Sequence, residues 1–301
     1  MTEKTIITCA ATGASLTPSM SPYLPISPEE ISTQSVAASK AGAAIIHLHA
    51  RNPDGTPTND TEVWREIVSG IRDNCDSLIN MSASLGKTSK ERLSAVVELR
   101  PDLATVIVGS MNYGLFRKAE NQGVSEFESE WEKEAFGPSS YEIVTDNNFA
   151  KIGEMLDILI AEDIAIEFEC YDVGHLYILD YHLSKKNVKR PIIVQFLTGI
   201  LGGIASHPQH LVHMKTTAEQ LFGSELKLFI HGTGMANIRT ATAGGLLGTH
   251  IRIGQEDNLF DKPGVPFESN AAQVERMRLI FDALNIEVAN ATEAREILQL
   301  S

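Results

Sequence analysis

Short runs rich in β-branched and other apolar residues alternate with helical stretches along nearly the whole chain, and this alternation restricts the fold more than any other feature. The pattern predicts eight strands, near Thr5–Ala10, Ala44–His49, Ser77–Ser82, Ala104–Val108, Ile164–Glu169, Pro191–Phe196, Leu226–Ile230 and His250–Ile253. Amphipathic segments predict helices at Ser27–Ala41, Thr61–Cys75, Ser89–Leu99, Asn148–Glu162, His207–Phe222 and Ala236–Gly244. Because strands that alternate with helices form parallel sheets, we expect an α/β fold that closes into a (β/α)8 TIM barrel.

An open, doubly wound sheet is the alternative arrangement for the same alternation. That fold usually carries a GxGxxG turn after its first strand, where glycines let the backbone approach a dinucleotide. No such motif follows Ala10, and the Gly-Thr-Gly at Gly232–Gly234 is too short to replace it. The barrel is therefore the favoured prediction.

The 301 residues, 43% of them apolar, show no shift in composition that would mark a second domain. We therefore expect a single domain spanning residues 1–301, a size common for α/β barrels. Residues 113–146 form an acidic insert after the fourth strand, expected to be irregular and to act as a lid or an oligomer contact. Two closing helices are predicted at Ser269–Leu284 and Thr292–Leu300, with a capping box between them.

Charge and hydropathy restrict the partners of the chain. A formal net charge of −14 and the lack of a basic cluster interleaved with aromatic residues argue against nucleic-acid binding. No run approaches the roughly 20 apolar residues of a membrane span, and the start lacks a signal-peptide pattern, so we expect a cytoplasmic protein with no membrane partner. Three cysteines without CxxC spacing argue against a disulfide framework. A phosphorylated cofactor is still compatible, because Lys87, Lys90 and Arg92, with Arg51 nearby, could form a local basic patch.

His47 and His49 lie two residues apart where a strand is expected. Side chains alternate between the faces of a strand, so both imidazoles should leave the backbone on the same face. Neutral imidazoles are favoured ligands of zinc and related divalent ions. The pair therefore predicts half of a metal site, and a pair of hydrogen-bonded core histidines is the alternative.

The eighth predicted strand ends in Arg252-Ile-Gly-Gln-Glu256-Asp257, and it could supply the third ligand. We assign that role to Glu256, because Asp257 could then be held ionised by Arg252 and act as a base. An arginine in an apolar strand needs a partner or a cavity, since an unpaired buried guanidinium is costly. An ordinary solvated turn and a structural ion pair are the alternatives for these residues.

Further polar side chains fall at or just after other predicted strand ends, which would share one mouth of the barrel. The candidates for substrate contact are Ser15, Ser82, Thr105 and His231, with hydrogen-bonding turn or support roles as their alternatives. The same mouth would hold Thr12, Ser84, Ser110, Asn112, Glu167, Glu169 and Gln195.

Two segments carry a resemblance to a known family: His47-Leu-His49-Ala-Arg51 with the following Pro53-Asp-Gly55-Thr-Pro57-Thr58, and Arg252-Ile-Gly254-Gln-Glu256-Asp257-Asn258. The chain resembles the β-keto acid cleavage enzymes over nearly its whole length. The resemblance implies a TIM barrel, usually a homotetramer, with a divalent metal, usually zinc, held by His47, His49 and Glu256. It also implies that a β-keto acid and acetyl-CoA, as cosubstrate, give acetoacetate and a new acyl-CoA.

By the same resemblance, Asp257 with Arg252 would form the base system, and Ser82 and Thr105 would hold substrate or intermediate. Ser15 stands where members that handle amino-substituted keto acids tend to have a carboxylate, which disfavours a cationic substrate. Gly86 is a further expected substrate contact, although the segment from Ser82 to Lys87 that contains it departs from the usual serine, threonine and paired glycines of the oxyanion or CoA contact. Residues 232–237 also depart from the family pattern.

The sequence thus favours a metal-dependent acyltransferase acting on a small β-keto acid. A metal-dependent aldolase or lyase on the same barrel is the first alternative, and it would need no CoA. A noncatalytic barrel that binds a metal or metabolite is the second, and the Arg252 and Asp257 pair argues against it.

Overall fold

The computed structural model describes residues 3–300, which form a closed barrel of parallel strands. The strands are β1 Ile7–Ala10, β2 Ile45–Leu48, β3 Leu78–Ser82, β4 Leu103–Ile107, β5 Ala165–Cys170, β6 Ile192–Thr198, β7 Leu226–Gly232 and β8 His250–Ile253. Each strand pairs with its neighbours in chain order, and β1 closes the barrel by pairing with both β2 and β8. The eight predicted strands and the TIM-barrel prediction are confirmed.

Eleven α-helices surround or close the barrel within residues 3–300. They are α1 Pro28–Ala41, α2 Thr61–Arg72, α3 Ser89–Leu99, α4 Phe116–Gln122, α5 Glu130–Phe136, α6 Phe149–Ala161, α7 Val173–Leu183, α8 Pro208–Phe222, α9 Asn237–Leu246, α10 Asn270–Ala283 and α11 Ala291–Ile297. Two short hairpins pair Ala50–Arg51 with Pro57–Thr58 and Phe260–Lys262 with Val265–Pro266.

Local capping explains where many helices begin. Ser27 caps α1, and Glu30 completes a capping box behind the proline of the first turn. Asn290 and Glu293 form the same motif at α11, so the predicted capping box between the closing helices is confirmed. Ala294 of α11 and Leu298, which directly follows it, pack against apolar residues of the strand starts, so this helix covers the end of the barrel opposite the mouth.

The helix α7 is absent from the sequence prediction. Its buried residues His175, Leu176, Leu179 and His182 follow helical spacing, but Tyr177 and Tyr181 on the other face are aromatic and exposed. The apolar stripe that identifies an amphipathic helix is therefore blurred.

The insert is more ordered than the sequence prediction of an irregular segment. Residues 113–146 contain α4 and α5, and Ser129 caps α5 with a capping box to Glu132. The insert packs on the loop after β1, where Leu16, Met20 and Leu24 share a small apolar cluster with Ala119 and Phe136. Its position beside the β1 loop places it at the mouth, while its role as a lid or oligomer contact stays a prediction.

Across residues 3–300, every helix is too short or too polar to cross a membrane.

Candidate active site

Two histidines and a glutamate converge at the mouth of the barrel. His47 lies in β2, His49 directly follows it, and Glu256 follows β8. Because β1 pairs with both of these strands, the two segments are only one strand apart. The Nε2 atoms of His47 and His49 lie 3.7 and 3.5 Å from the carboxylate oxygens of Glu256.

Polar side chains inside the barrel orient the imidazole of His47. The Oγ1 atom of Thr105 lies 3.4 Å from Nδ1 of His47 and donates to either Asn80, at 2.8 Å, or Glu167, at 2.9 Å. With Nδ1 turned to these groups, Nε2 faces the mouth. Partners that fix the ring in this way are a common feature of metal-binding histidines.

The three side chains fit a divalent metal. One ligand atom from each of His47, His49 and Glu256 can be chosen so that all three lie within 4.8 Å of one another. The Oε2 atom of Glu256 is buried and has no hydrogen-bond partner within residues 3–300, so a lone pair faces this space. Burial, and then the charge of Arg252, lower the pKa of His47 well below its usual range, which keeps its imidazole neutral and able to bind a cation.

Arg252 lies fully buried at the centre of three carboxylates. Its Nε and Nη2 atoms donate to the two oxygens of Asp257 at 2.8 and 3.0 Å, and Nη2 also donates to Glu256 at 2.5 Å. Its Nη1 atom lies 3.5 Å from Glu169. The sequence analysis expected Arg252 to pair with Asp257 alone and Glu256 to bind metal. In the structure the guanidinium contacts both carboxylates. One guanidinium among three carboxylates leaves negative charge that a divalent cation would balance.

Asp257 is a buried acid whose pKa lies close to neutral pH. Burial, opposed by Arg252 and assisted by Glu256, raises its pKa to about 6. The Nε2 atom of His231 lies 3.5 Å from Asp257 Oδ1, and burial and Arg252 lower the pKa of this histidine well below its usual range. At neutral pH the arrangement is thus an ionised aspartate between a guanidinium and a neutral imidazole.

Glu169 on β5 is a second buried acid at the mouth, and its sequence signal was only its place on a strand. It accepts from the Tyr171 hydroxyl at 2.8 Å and from Gln195 at 3.3 Å. Burial raises the pKa of Glu169 to about 7, although Arg252 and Tyr171 oppose the rise. It is therefore a rival to Asp257 as a proton acceptor.

A cavity of about 250 Å³ opens over these residues. Ser15, Ser82 and Thr105 line it together with the metal-site residues, while the hydroxyls of Ser82 and Ser84 lie 2.9 Å apart. Gly86 is not among the lining residues. Its carbonyl instead accepts from Nε of Arg92, at 2.9 Å, and the Arg92 side chain lines the cavity.

The prediction that Arg51 belongs to a basic patch for a phosphorylated cofactor is wrong. Its guanidinium is fully buried and donates to the Thr12 hydroxyl and to the carbonyls of Thr12, Leu16 and Gly55. A guanidinium whose donors are used in this way ties the β1 loop to the hairpin after β2 and cannot bind a phosphate.

Lys118 is a cation of the mouth that sequence reasoning did not single out. It lies on α4 of the insert, lines the cavity, and donates to the hydroxyl of Ser15. Its position depends on how the insert folds back over β1, which residue spacing does not reveal.

Comparisons with known proteins find relatives over nearly the whole chain. The family model for β-keto acid cleavage enzymes matches residues 4–300. The chain is 43% identical to a 3,5-dioxohexanoate:acetyl-CoA acetone transferase of Paraburkholderia graminis, over 99% of this chain and 96% of that protein. It is 32% identical to a 3-keto-5-aminohexanoate cleavage enzyme of Fusobacterium nucleatum subsp. nucleatum, over 100% of this chain and 99% of that protein.

Among solved structures, the apo form of ObcA superposes with a TM-score of 0.72, covering 93% of this chain and 66% of that one. At 17% identity this likeness supports the fold. The whole-length family match and the identity to curated relatives go further: the chain belongs to the β-keto acid cleavage enzyme family.

Proposed function

We propose that the protein transfers the acyl group of a β-keto acid to CoA, using acetyl-CoA as the cosubstrate. The keto acid loses a proton from C2, and the resulting enolate carbon bonds to the acetyl carbonyl carbon and expels the CoA thiolate. The thiolate then attacks C3, and the bond between C2 and C3 breaks. Protonation of the released enolate gives acetoacetate, and the rest of the keto acid leaves as acyl-CoA.

One observation carries this proposal: two imidazoles and a carboxylate converge beside an arginine-held aspartate in one cavity. His47, His49 and Glu256 would hold the divalent metal, and zinc is our choice because of the neutral nitrogen and carboxylate donors. When bound, the metal would supply a Lewis acid for the oxygens of the keto acid.

Asp257 is the residue we assign to accept the C2 proton. Its pKa of about 6 leaves it ionised at neutral pH yet basic enough to act, which is the balance that general bases require. Arg252 would keep its carboxylate in place through two hydrogen bonds, at 2.8 and 3.0 Å. Ser82 and Ser84 offer hydroxyls to developing negative charge at the cavity wall.

Thr105 has a supporting role in this proposal in addition to its place in the wall. Its hydroxyl lies between His47, Asn80 and Glu167, so it would fix the imidazole more than it would hold substrate. Gly86 would act through Arg92, whose position its carbonyl sets.

The substrate we propose is a short keto acid without a cationic group, and 3,5-dioxohexanoate is the first to test. The relative with 43% identity carries that substrate in its name, and Ser15 provides no counter-charge for an ammonium group. With acetyl-CoA it would give acetoacetate and acetoacetyl-CoA.

The test is an assay of purified protein with zinc, acetyl-CoA and short β-keto acids, with acetoacetate as the measured product. We expect acetoacetate only when acetyl-CoA is present. Carbon–carbon cleavage in the absence of CoA would favour the lyase alternative. Ligand binding with no turnover, unchanged in Asp257→Asn, would favour a noncatalytic barrel.

We also propose a cytoplasmic homotetramer, as the sequence and the family resemblance predict. An exposed aromatic patch of Phe149, Tyr177 and Tyr181, each more than half exposed, supports a subunit contact on this face. Sedimentation of the wild type and of Tyr177→Glu tests this, and a wild-type monomer would contradict it.

A further inference from the structure

Lys118 is a cation without a direct ion-pair partner: burial lowers its pKa, and the more distant charges of Asp257 and Glu256 oppose that effect. Within residues 3–300, the hydroxyl of Ser15 is the one hydrogen-bond partner of its ammonium group, and no carboxylate lies within ion-pair distance of it. An ammonium group carries three donors. Two donors therefore remain for whatever enters the cavity that Lys118 lines.

The partners of Lys118 form a small neutral cluster. Ser15 accepts from Lys118, and the uncharged Tyr113 side chain lines the same cavity. The ring of Tyr113 packs edge-on against Tyr171, with centroids 6.4 Å apart. The cluster fixes the ammonium group in place without neutralising it.

The β1 loop connects this cluster to the metal ligands. Gly13, two residues before Ser15, packs directly against the side chain of Glu256. Ser15 and Lys118 therefore line the same cavity as His47 and His49, on the side covered by the insert. A keto acid bound beside His47, His49 and Glu256 would therefore share one cavity with the ammonium group of Lys118.

We propose that Lys118, held by Ser15, binds an oxygen at C5 of the keto acid and so selects dioxo acids over saturated or ammonium-bearing ones. The inference rests on the proposed function, because it concerns the far end of the same substrate. A carbonyl or enolate oxygen accepts a charge-assisted hydrogen bond from the ammonium group. A substrate ammonium at C5 would instead meet a like charge.

The experiment compares zinc-loaded wild type, Lys118→Met and Lys118→Arg on three keto acids of equal length: 3,5-dioxohexanoate, 3-oxohexanoate and 5-amino-3-oxohexanoate. Loss of one charge-assisted hydrogen bond in Lys118→Met should raise the KM for the dioxo acid by about 10- to 100-fold, with kcat little changed. The KM for 3-oxohexanoate should stay unchanged, and the KM for 5-amino-3-oxohexanoate should fall. Lys118→Arg should recover much of the dioxo preference.

Lys133→Met is the matched control, since it removes a lysine of the same insert that is exposed and paired with Glu130. It should leave all three KM values unchanged. An equal loss on all three substrates in Lys118→Met, or a rise in the KM for acetyl-CoA alone, would overturn the inference.

Calorimetric binding of 3,5-dioxohexanoate to the zinc-loaded protein, without acetyl-CoA, separates the two proposals. If the wild type shows no turnover but binding of the dioxo acid weakens in Lys118→Met, the proposed function is overturned and the role of Lys118 in binding is supported. If the enzyme turns over and the wild type and Lys118→Met bind the dioxo acid equally well, only the proposed role of Lys118 is overturned. Absence of both binding and turnover would overturn both.

Discussion

Gly13 packs against Glu256 so closely that a Cβ atom on Gly13 would lie 2.9 Å from the carboxyl carbon of the glutamate. Gly13 also has a φ of 64°, in the left-handed region that other residues adopt at a cost. Gly13, in the loop after β1, thus limits where the side chain of Glu256, the proposed third metal ligand, can lie.

Substitution Gly13→Ala should therefore weaken metal binding. We expect zinc affinity to fall by about 10- to 100-fold, the range for displaced supporting groups, measured by competition with a chromophoric chelator. Gly123→Ala is the matched control, because Gly123 has a φ of 68° but nothing within 4 Å of the added Cβ. Equal zinc affinity in both variants would show that Glu256 does not depend on this contact.

Metal removal should lower thermal stability through the same three ligands. At zinc concentrations about 100-fold above Kd, binding should stabilise the fold by about 2.7 kcal/mol, a Tm shift on the order of 4 °C. Dialysis against a chelator should abolish activity and this shift, and added zinc should restore both. Glu256→Gln should lose most of the zinc-dependent shift, whereas the exposed Glu268→Gln should keep it. A zinc-dependent shift unchanged in Glu256→Gln would contradict the assignment.

The pH dependence of kcat/KM should distinguish the two buried acids. A base must be deprotonated, so activity should fall as the pH falls through its pKa. For Asp257, with a pKa of about 6 that a bound cation would lower further, the acid limb should lie at or below pH 6. For Glu169 it would lie nearer pH 7.

Variants decide the same question. Asp257→Asn should lower kcat by about 10²- to 10⁴-fold, the usual contribution of a general base, and remove the acid limb. Glu169→Gln should keep the limb. The reverse pattern would transfer the role of base to Glu169.

Arg51 should contribute to stability and not to cofactor binding. Arg51→Lys removes most of the hydrogen bonds that tie Thr12, Leu16 and Gly55 together, because an ammonium group cannot reproduce the guanidinium fork. We expect a loss of about 2–3 kcal/mol in the free energy of unfolding, measured with denaturant. Arg72→Lys, which loses two exposed contacts to backbone carbonyls, should cost much less. A KM for acetyl-CoA that rises in Arg51→Lys without a stability loss would restore the phosphate hypothesis.

Periodicity predicted the barrel because its strands are buried on both faces and most of the surrounding helices, although not α7, present one apolar face. Strand positions are local in sequence, and they also place His47 and His49 on one face. The pairing of β1 with β2 and β8 then brings Glu256 to them, so the convergence of these three candidate ligands followed from topology plus residue type.

The remaining site residues depend on how loops pack, which periodicity does not encode. Arg51 looked like a surface cation because the sequence gives no sign that the β1 loop folds over it. Lys118 lies in a helix whose start has no side-chain cap, so its element had no sequence signal. In contrast, the capping box at Ser129 and Glu132 was readable and would have predicted α5.

The proposed metal ligands lie in or directly after barrel strands, while Lys118 reaches the cavity from a separate insert between β4 and α6. The reactive end and the selective end of the cavity are thus encoded in different stretches of the gene. Natural variation, or an engineer, could exchange the insert for one with another charge and redirect the enzyme to a new acyl chain without rebuilding the metal centre.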